Sequence, residues 1–223
     1  MRAQQGRSSP FSSKKPRRMK AQPSPVSRIP SSNNFNRAIR ADYDVRKPIS
    51  CLSFHHEHRL AALGCLSELK ILKVDRNASI SELCSYTSAT PKALVNDVCW
   101  SNDERKYVAL AYNTGEIKVI SVGTASVPTT EPIMQVKYEN SINRITWHPS
   151  DSNIIASADN KGCLRLYDIR TNNSNNLIYN TRFMNNQTRN TRDIQFNTFH
   201  VDLFAAVADN SFAVRIWDRR INR

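Results

Sequence analysis

The sequence predicts an all-β fold assembled from about four copies of one sheet unit, preceded by a basic, disordered arm. Three observations predict it. An aromatic residue closes a short apolar run at Phe54, Trp100, Trp147 and Phe196, at spacings of 46, 47 and 49 residues, close to the period of about 40–45 residues at which propeller blades repeat. After each aromatic comes a nearly all-apolar run and then an alternating one, with no sustained helical period. Between those two runs a turn recurs, starting thirteen residues after the aromatic at Asn113, Asn160 and Asp209.

Taken in order, the first unit (about 42–90) holds Ile49-Ser-Cys-Leu-Ser-Phe54, Arg59-Leu-Ala-Ala-Leu63 and Leu69-Lys-Ile-Leu-Lys-Val74. It is two residues shorter than the rest, so its register is the least defined. The second (91–137) holds Val95 to Trp100, Tyr107 to Ala111 and Ile117 to Ile120; the third (138–187) Ile142 to Trp147, Asn153 to Ser157 and Leu164 to Asp168; the fourth (188–223) Thr191 to Phe196, Leu203 to Val207 and Val214 to Asp218. The second runs are small and apolar, as a strand buried on both faces requires. The third runs alternate, with Leu164, Leu166 and Ile169 against Arg165 and Asp168, which puts apolar residues on one sheet face. The turns Asn113-Thr-Gly115, Asn160-Lys-Gly162 and Asp209-Asn-Ser211 supply residues that tolerate positive φ in a tight hairpin.

The runs Leu164-Arg-Leu-Tyr-Asp-Ile-Arg170 and Val214-Arg-Ile-Trp-Asp-Arg-Arg220 resemble the end of a WD repeat. Trp217-Asp218 is the pair itself and Tyr167-Asp168 a common variant, whereas the first two units have lost it (Leu72-Lys73, Ile120-Ser121). The family's Gly-His dipeptide is absent and the chain has only 5 glycines, which leaves its buried hydrogen-bond network incomplete. The resemblance implies a WD-repeat β-propeller with about four blades, open or partial. The stretch from Ile142-Asn-Arg-Ile-Thr-Trp-His-Pro149 through Arg220 more narrowly resembles the propeller of a WD-repeat subunit of the GATOR-type (SEA) complexes, over about 130 residues from Val95 onward. That resemblance implies a non-enzymatic scaffold in amino-acid signalling to the TOR kinase, placed in the cytoplasm and at the lysosomal surface, with other complex subunits as partners. Such subunits also carry a helical solenoid and a zinc-binding RING-type module, and no Cys/His array for zinc occurs here. Four blades leave two open sides, so either four close a small ring, or partner blades complete the structure, or the chain is part of a longer protein; the last two are the expectation.

The net charge of +13 belongs to one end: residues 1–41 hold ten Lys or Arg and no Asp or Glu, and the rest carries 22 basic against 19 acidic side chains. The Ser/Pro/Arg/Asn-rich arm has too little apolar surface to offset its ordering entropy. Within it Lys14, Lys15, Arg17, Arg18 and Lys20 form a basic cluster, which is either a nuclear-targeting or nucleic-acid- or anionic-lipid-binding element or a plain solvated tail. No run of eighteen apolar residues predicts a membrane helix, and no apolar leader opens the chain. Five scattered cysteines without a CxxC pair read as reduced thiols of an intracellular protein.

Catalytic patterns are missing: no phosphate loop, GxSxG elbow or HExxH. Neither enzyme activity nor a cofactor or metal is expected. His55-His56-Glu57-His58 falls in a turn where adjacent side chains diverge, and is read as solvated rather than as a metal site. Asp159 and Asp209 precede turns and are read as caps of turn amides. Tyr167-Asp-Ile-Arg170 and Trp217-Asp-Arg-Arg220 fit a WDxR-like pattern; in WD-repeat substrate receptors of cullin ubiquitin ligases the arginine contacts the adaptor, which makes Arg170 and Arg220 candidate interface residues. Alternatively they stack on the neighbouring blade. The competing functions are therefore a scaffold, a cullin-ligase substrate receptor, and a nuclear or RNA-associated adaptor.

Overall fold

The computed structural model describes residues 42–56, 59–76, 79–123, 131–171, 176–184 and 187–221. The basic arm and its lysine–arginine cluster, Lys14 to Lys20, lie outside these residues, as do Glu57 and His58. Among the described residues, fifteen strands form four separate antiparallel sheets, each a meander in chain order. Blade 1 is β1 (Cys51–Phe54), β2 (Leu60–Cys65), β3 (Glu68–Val74) and β4 (Ile80–Thr87). Blade 2 is β5 (Val95–Trp100), β6 (Tyr107–Tyr112), β7 (Glu116–Ser121) and β8 (Met134–Lys137). Blade 3 is β9 (Ile142–Trp147), β10 (Ile154–Asp159), β11 (Cys163–Asp168) and β12 (Leu177–Arg182). Blade 4 has three strands, β13 (Thr191–Phe196), β14 (Leu203–Ala208) and β15 (Arg215–Asp218).

The blades stack through their first strands. β5 packs on β1 and β2, β9 on β5 and β6, and β13 on β9 and β10, with no packing of comparable extent returning to β1 among the described residues. The arc is an open propeller segment, as the repeats predict. Each junction is built the same way. The residue opposite the one before the anchor aromatic is alanine in every blade, Ala62, Ala109, Ala156 and Ala205. Beside this small side chain the next blade lays its aromatic: Trp100 shares a core with Ala62, Trp147 with Ala109, and Phe196 with Ala156. A side-chain ladder adds polar stitches, since Ser50 Oγ donates to the Val95 carbonyl (2.6 Å), Asn96 Nδ2 to that of Ile142 (2.7 Å) and Asn143 Nδ2 to that of Thr191 (2.7 Å). These donors sit four residues before successive aromatics, so one sequence position clamps each blade to the next.

One expectation needs correction. Phe54 does not behave like the other anchors: it is 62% exposed, against 3% for Trp100 and Trp147 and 8% for Phe196. No described blade covers the face of blade 1 that Phe54 and Leu52 occupy. In blades 2 and 3 the polar residues of the third strand are buried as well. Every residue of β11 is buried, because the neighbouring blades cover both faces, and the cations there are paired. Lys118 Nζ lies 3.7 Å from Glu116, and Arg165 Nη1 donates to Asp159 Oδ2 at 3.0 Å.

The hairpin turns take the predicted backbone. Gly115 and Gly162 have φ of +82° and +87°, and Asn210 in the fourth unit has φ of +53°. A Cβ on Gly115 would also stand 2.0 Å from the Tyr138 carbonyl oxygen. Backbone cannot retreat as a flexible side chain can. Gly115→Ala is therefore expected to lower stability by about 2 kcal/mol or more, the sum of left-handed strain and displaced chain, read as a drop in denaturation midpoint with an unchanged m-value.

Candidate interaction surface

The repeat-defining residues of blade 3 form a buried polar network. Tyr167 is fully buried and its hydroxyl lies 3.2 Å from Ser157 Oγ; burial holds its phenol well above the usual range. Tyr138 leans on the Tyr167 ring at 6.3 Å and carries the Arg165 guanidinium 4.1 Å above its own ring. Asp159, also fully buried, accepts from the Lys161 and Cys163 amides at 2.9 and 2.8 Å and from Arg165. Asp159 thus caps its turn as expected, while Asp209 does not: it receives the Arg192 guanidinium (2.5 and 2.8 Å) and Asn190 instead. Trp217 of blade 4 stacks nearly parallel on Phe204, at 5.6 Å and 11°, and is only partly buried.

At the end of the blades where third strands finish lies a polar rim. Asp168 binds Arg170 through a two-point fork (3.0 and 2.5 Å) while also accepting the Arg170 amide at 2.9 Å. Asp218 repeats this with Arg220 at 2.9, 2.5 and 3.0 Å. The Arg220 fork holds the Asp218 carboxyl down at about 2. Neither arginine stacks on a neighbouring blade. Each is held by the aspartate two residues before it, with its head exposed. Cross-blade bonds stiffen the same rim: Asn102 Nδ2 donates to the His148 carbonyl at 2.9 Å, and Arg105 donates to Asn153 Oδ1 and the Ser152 carbonyl at 2.9 and 2.8 Å.

One exposed residue of this rim escapes the repeat-based reading. Phe199, at the tip of the β13–β14 turn, is 91% exposed. Asn197 Oδ1 accepts the Phe199 and His200 amides (2.8 and 2.9 Å) and fixes the turn beneath it. Three residues on in the chain, Asp202 pairs with Arg219 at 2.7 Å and lies 3.6 Å from Arg220. An exposed aromatic among arginines is the composition that protein interfaces favour. The sequence signal was available: Phe199 stands third after its anchor aromatic, where the counterparts are Ser150 and Asp103.

The histidine cluster is not a solvated turn throughout. His55 is buried, its Nε2 3.1 Å from the Asp103 carbonyl and its ring edge-on to Trp100 at 5.2 Å. Burial beside the next blade's anchor explains the difference. His148, also buried, uses Nδ1 to accept the Ser150 and Asp151 amides at 3.3 and 2.9 Å. Burial, then the Arg219 charge, lowers its pKa. The neutral form is the one that folds, so its contribution is present above the ordinary value of 6.5 and is lost as pH falls through the folded-state value. Stability is expected to decline as pH drops from 6.5, and His148→Asn to flatten that decline in urea titrations at successive pH values. The five cysteines are unpaired. Burial pushes the Cys51 thiol up to about 11 and that of Cys99 up to about 12, so neither is a thiolate at neutral pH.

No family model matches the chain. It is similar to the GATOR2 complex protein Wdr24 of Drosophila melanogaster, 26% identical over 150 residues, which is 66% of this chain and 18% of that protein. It is also similar to the GATOR2 complex protein WDR24 of Danio rerio, 24% identical over 149 residues, 67% of this chain and 17% of that protein. The chain thus matches less than a fifth of the length of these curated relatives.

Proposed function

We propose that this chain, a segment of a WD-repeat β-propeller, is a non-enzymatic scaffold that docks other subunits of a GATOR2-type complex and so serves amino-acid signalling to the TOR kinase. The observation that carries the reading is the likeness to two GATOR2 proteins over two-thirds of the chain. The rim that bears Phe199, Arg170 and Arg220 supplies the docking surface, an exposed apolar side chain and two cations each oriented by an aspartate. Affinity purification of the tagged chain is expected to recover GATOR2-type subunits, and Phe199→Ala with Arg220→Glu to reduce that recovery at least tenfold. Undiminished recovery by the double variant would move docking off the rim. Recovery of no complex subunit by the parent chain would reject the scaffold.

The matching forks of blades 3 and 4 favour one second reading, a substrate receptor of a cullin ligase that presents Arg170 and Arg220 to the adaptor. Arg170→Glu with Arg220→Glu then abolishes adaptor capture, and a parent chain that captures no adaptor rejects it.

A further inference from the structure

We propose that the recess between blades 2 and 3, at the end where the third strands begin, receives the carboxylate of an acidic side chain from a partner protein. The site follows from a change in the repeat. The first residue of the third strand is Glu68 in blade 1, Glu116 in blade 2 and Cys163 in blade 3. All three are buried. Two residues further on, each blade carries a cation: Lys70, Lys118 and Arg165. The two glutamates each serve two cations. Glu68 pairs with Lys47 and lies 3.8 Å from Lys70. Glu116 lies 3.7 Å from Lys118 and 3.6 Å from Lys137, the residue opposite it on β8.

In blade 3 the residue opposite that first position is Arg182 of β12, and it stands across from the Cys163 thiol instead of a carboxylate. Burial raises the Cys163 thiol above its ordinary value, so it supplies no negative charge at neutral pH. Asp159 is committed to Arg165 and to two turn amides. Arg182 is exposed and has no ion-pair partner among the described residues. Arg165 and Arg182 are diagonal neighbours across β11 and β12, on one sheet face and about 7–8 Å apart. Among the described residues the Arg165 guanidinium donates only through Nη1, so further N–H groups of its fork are unused. Its stacking on Tyr138 at 4.1 Å fixes its plane. Lys137, Tyr138, Glu139 and Asn140 complete the wall of the recess. Four cations (Lys118, Lys137, Arg165, Arg182) there meet three carboxylates (Glu116, Glu139, Asp159), which leaves one positive charge, and Arg182 presents it. One carboxylate neutralises that charge, where a phosphate dianion would overshoot. The recess is open and polar, with Lys137 60% exposed at its edge. It suits a side chain carried in on another surface rather than an enclosed small anion. The incoming group does for blade 3 what Glu68 and Glu116 do for their own blades.

Titration of the isotope-labelled full chain with a short peptide of alternating glycine and glutamate tests this, followed by two-dimensional NMR, which reads the recess apart from the basic arm. The amides of Tyr138, Cys163 and Arg182 are expected to shift together and saturate, with binding that weakens as salt rises. Arg182→Glu, at an exposed position, should weaken binding at the recess at least about tenfold, since a charge pair becomes a like-charge contact. Cys163→Glu should abolish it by supplying the carboxylate from within, with circular dichroism to verify the fold; the Arg182 variant keeps the test standing if that buried glutamate is not accepted. Equal binding by Arg182→Glu would overturn the inference. So would equal shifts with the glycine–glutamine peptide, and so would displacement by acetate at matching carboxylate concentration, which would mean a free anion and not a protein side chain. The inference rests on the scaffold reading only in that the carboxylate arrives on a protein. The titration needs no complex: a silent recess in a chain that still recovers GATOR2-type subunits sinks the recess alone, and a responsive recess in a chain that recovers none sinks the scaffold alone.

Discussion

Trp147→Ala is expected to cost about 3–5 kcal/mol, the range for deleting a large buried aromatic, and to lower the melting temperature by about 10 °C in a chain of this size. Trp147 is 3% exposed, joins the blade 2–blade 3 core and donates its indole N–H to the Ser152 carbonyl at 2.9 Å. Its removal opens a cavity at a junction and leaves that carbonyl without its indole donor. Phe54→Ala, the same kind of truncation at the equivalent position, is expected to change stability by less than about 0.5 kcal/mol, as exposed substitutions do. Parallel urea titrations measure both. Equal losses would mean that Phe54 is covered in solution.

Asp159→Ala is expected to cost a similar amount, about 3–5 kcal/mol, by a different route. Asp159 is fully buried and neutralises Arg165, which is itself buried over the Tyr138 ring. Removing one member of a buried pair strands the other charge, whereas replacing both by apolar groups is often neutral. Asp159→Ala with Arg165→Met is therefore expected to recover much of the loss. If the double variant is no more stable than the single one, the turn amides of Lys161 and Cys163, not the guanidinium, are what the carboxylate serves.

The first three strands of each blade were legible in the sequence because both faces of the inner strands are buried. Nearly continuous apolar runs such as Leu60 to Leu63 and Ile154 to Ala158 leave few alternatives, and the aromatic at the end of each first strand fixes the period. The fourth strands, β4, β8 and β12, carried no such signal. They lie at the outer edge, half exposed, so that Ile80-Ser-Glu-Leu-Cys-Ser-Tyr-Thr87 and Leu177-Ile-Tyr-Asn-Thr-Arg182 mix polar and apolar residues as loops do. The burial of the third-strand cations was not legible either. Arg165 and Lys118 alternate with apolar residues as solvated side chains would, and only the stacking of blades buries them. At the rim, Arg170 and Arg220 were singled out as candidates by their motif. Phe199 was not, since it belongs to no repeat position.

The stitches of Ser50, Asn96 and Asn143 each reach only to the adjoining blade. Such a molecule is a line of units coupled to nearest neighbours, the architecture in which stability is a sum of intrinsic and boundary contributions. Blades 2 and 3 are braced from both sides by described neighbours. The amides of β6 and β10, in the blades so braced, are therefore expected to exchange late. A partner that grips the rim through Phe199 and Arg220 would brace blade 4 in the same manner.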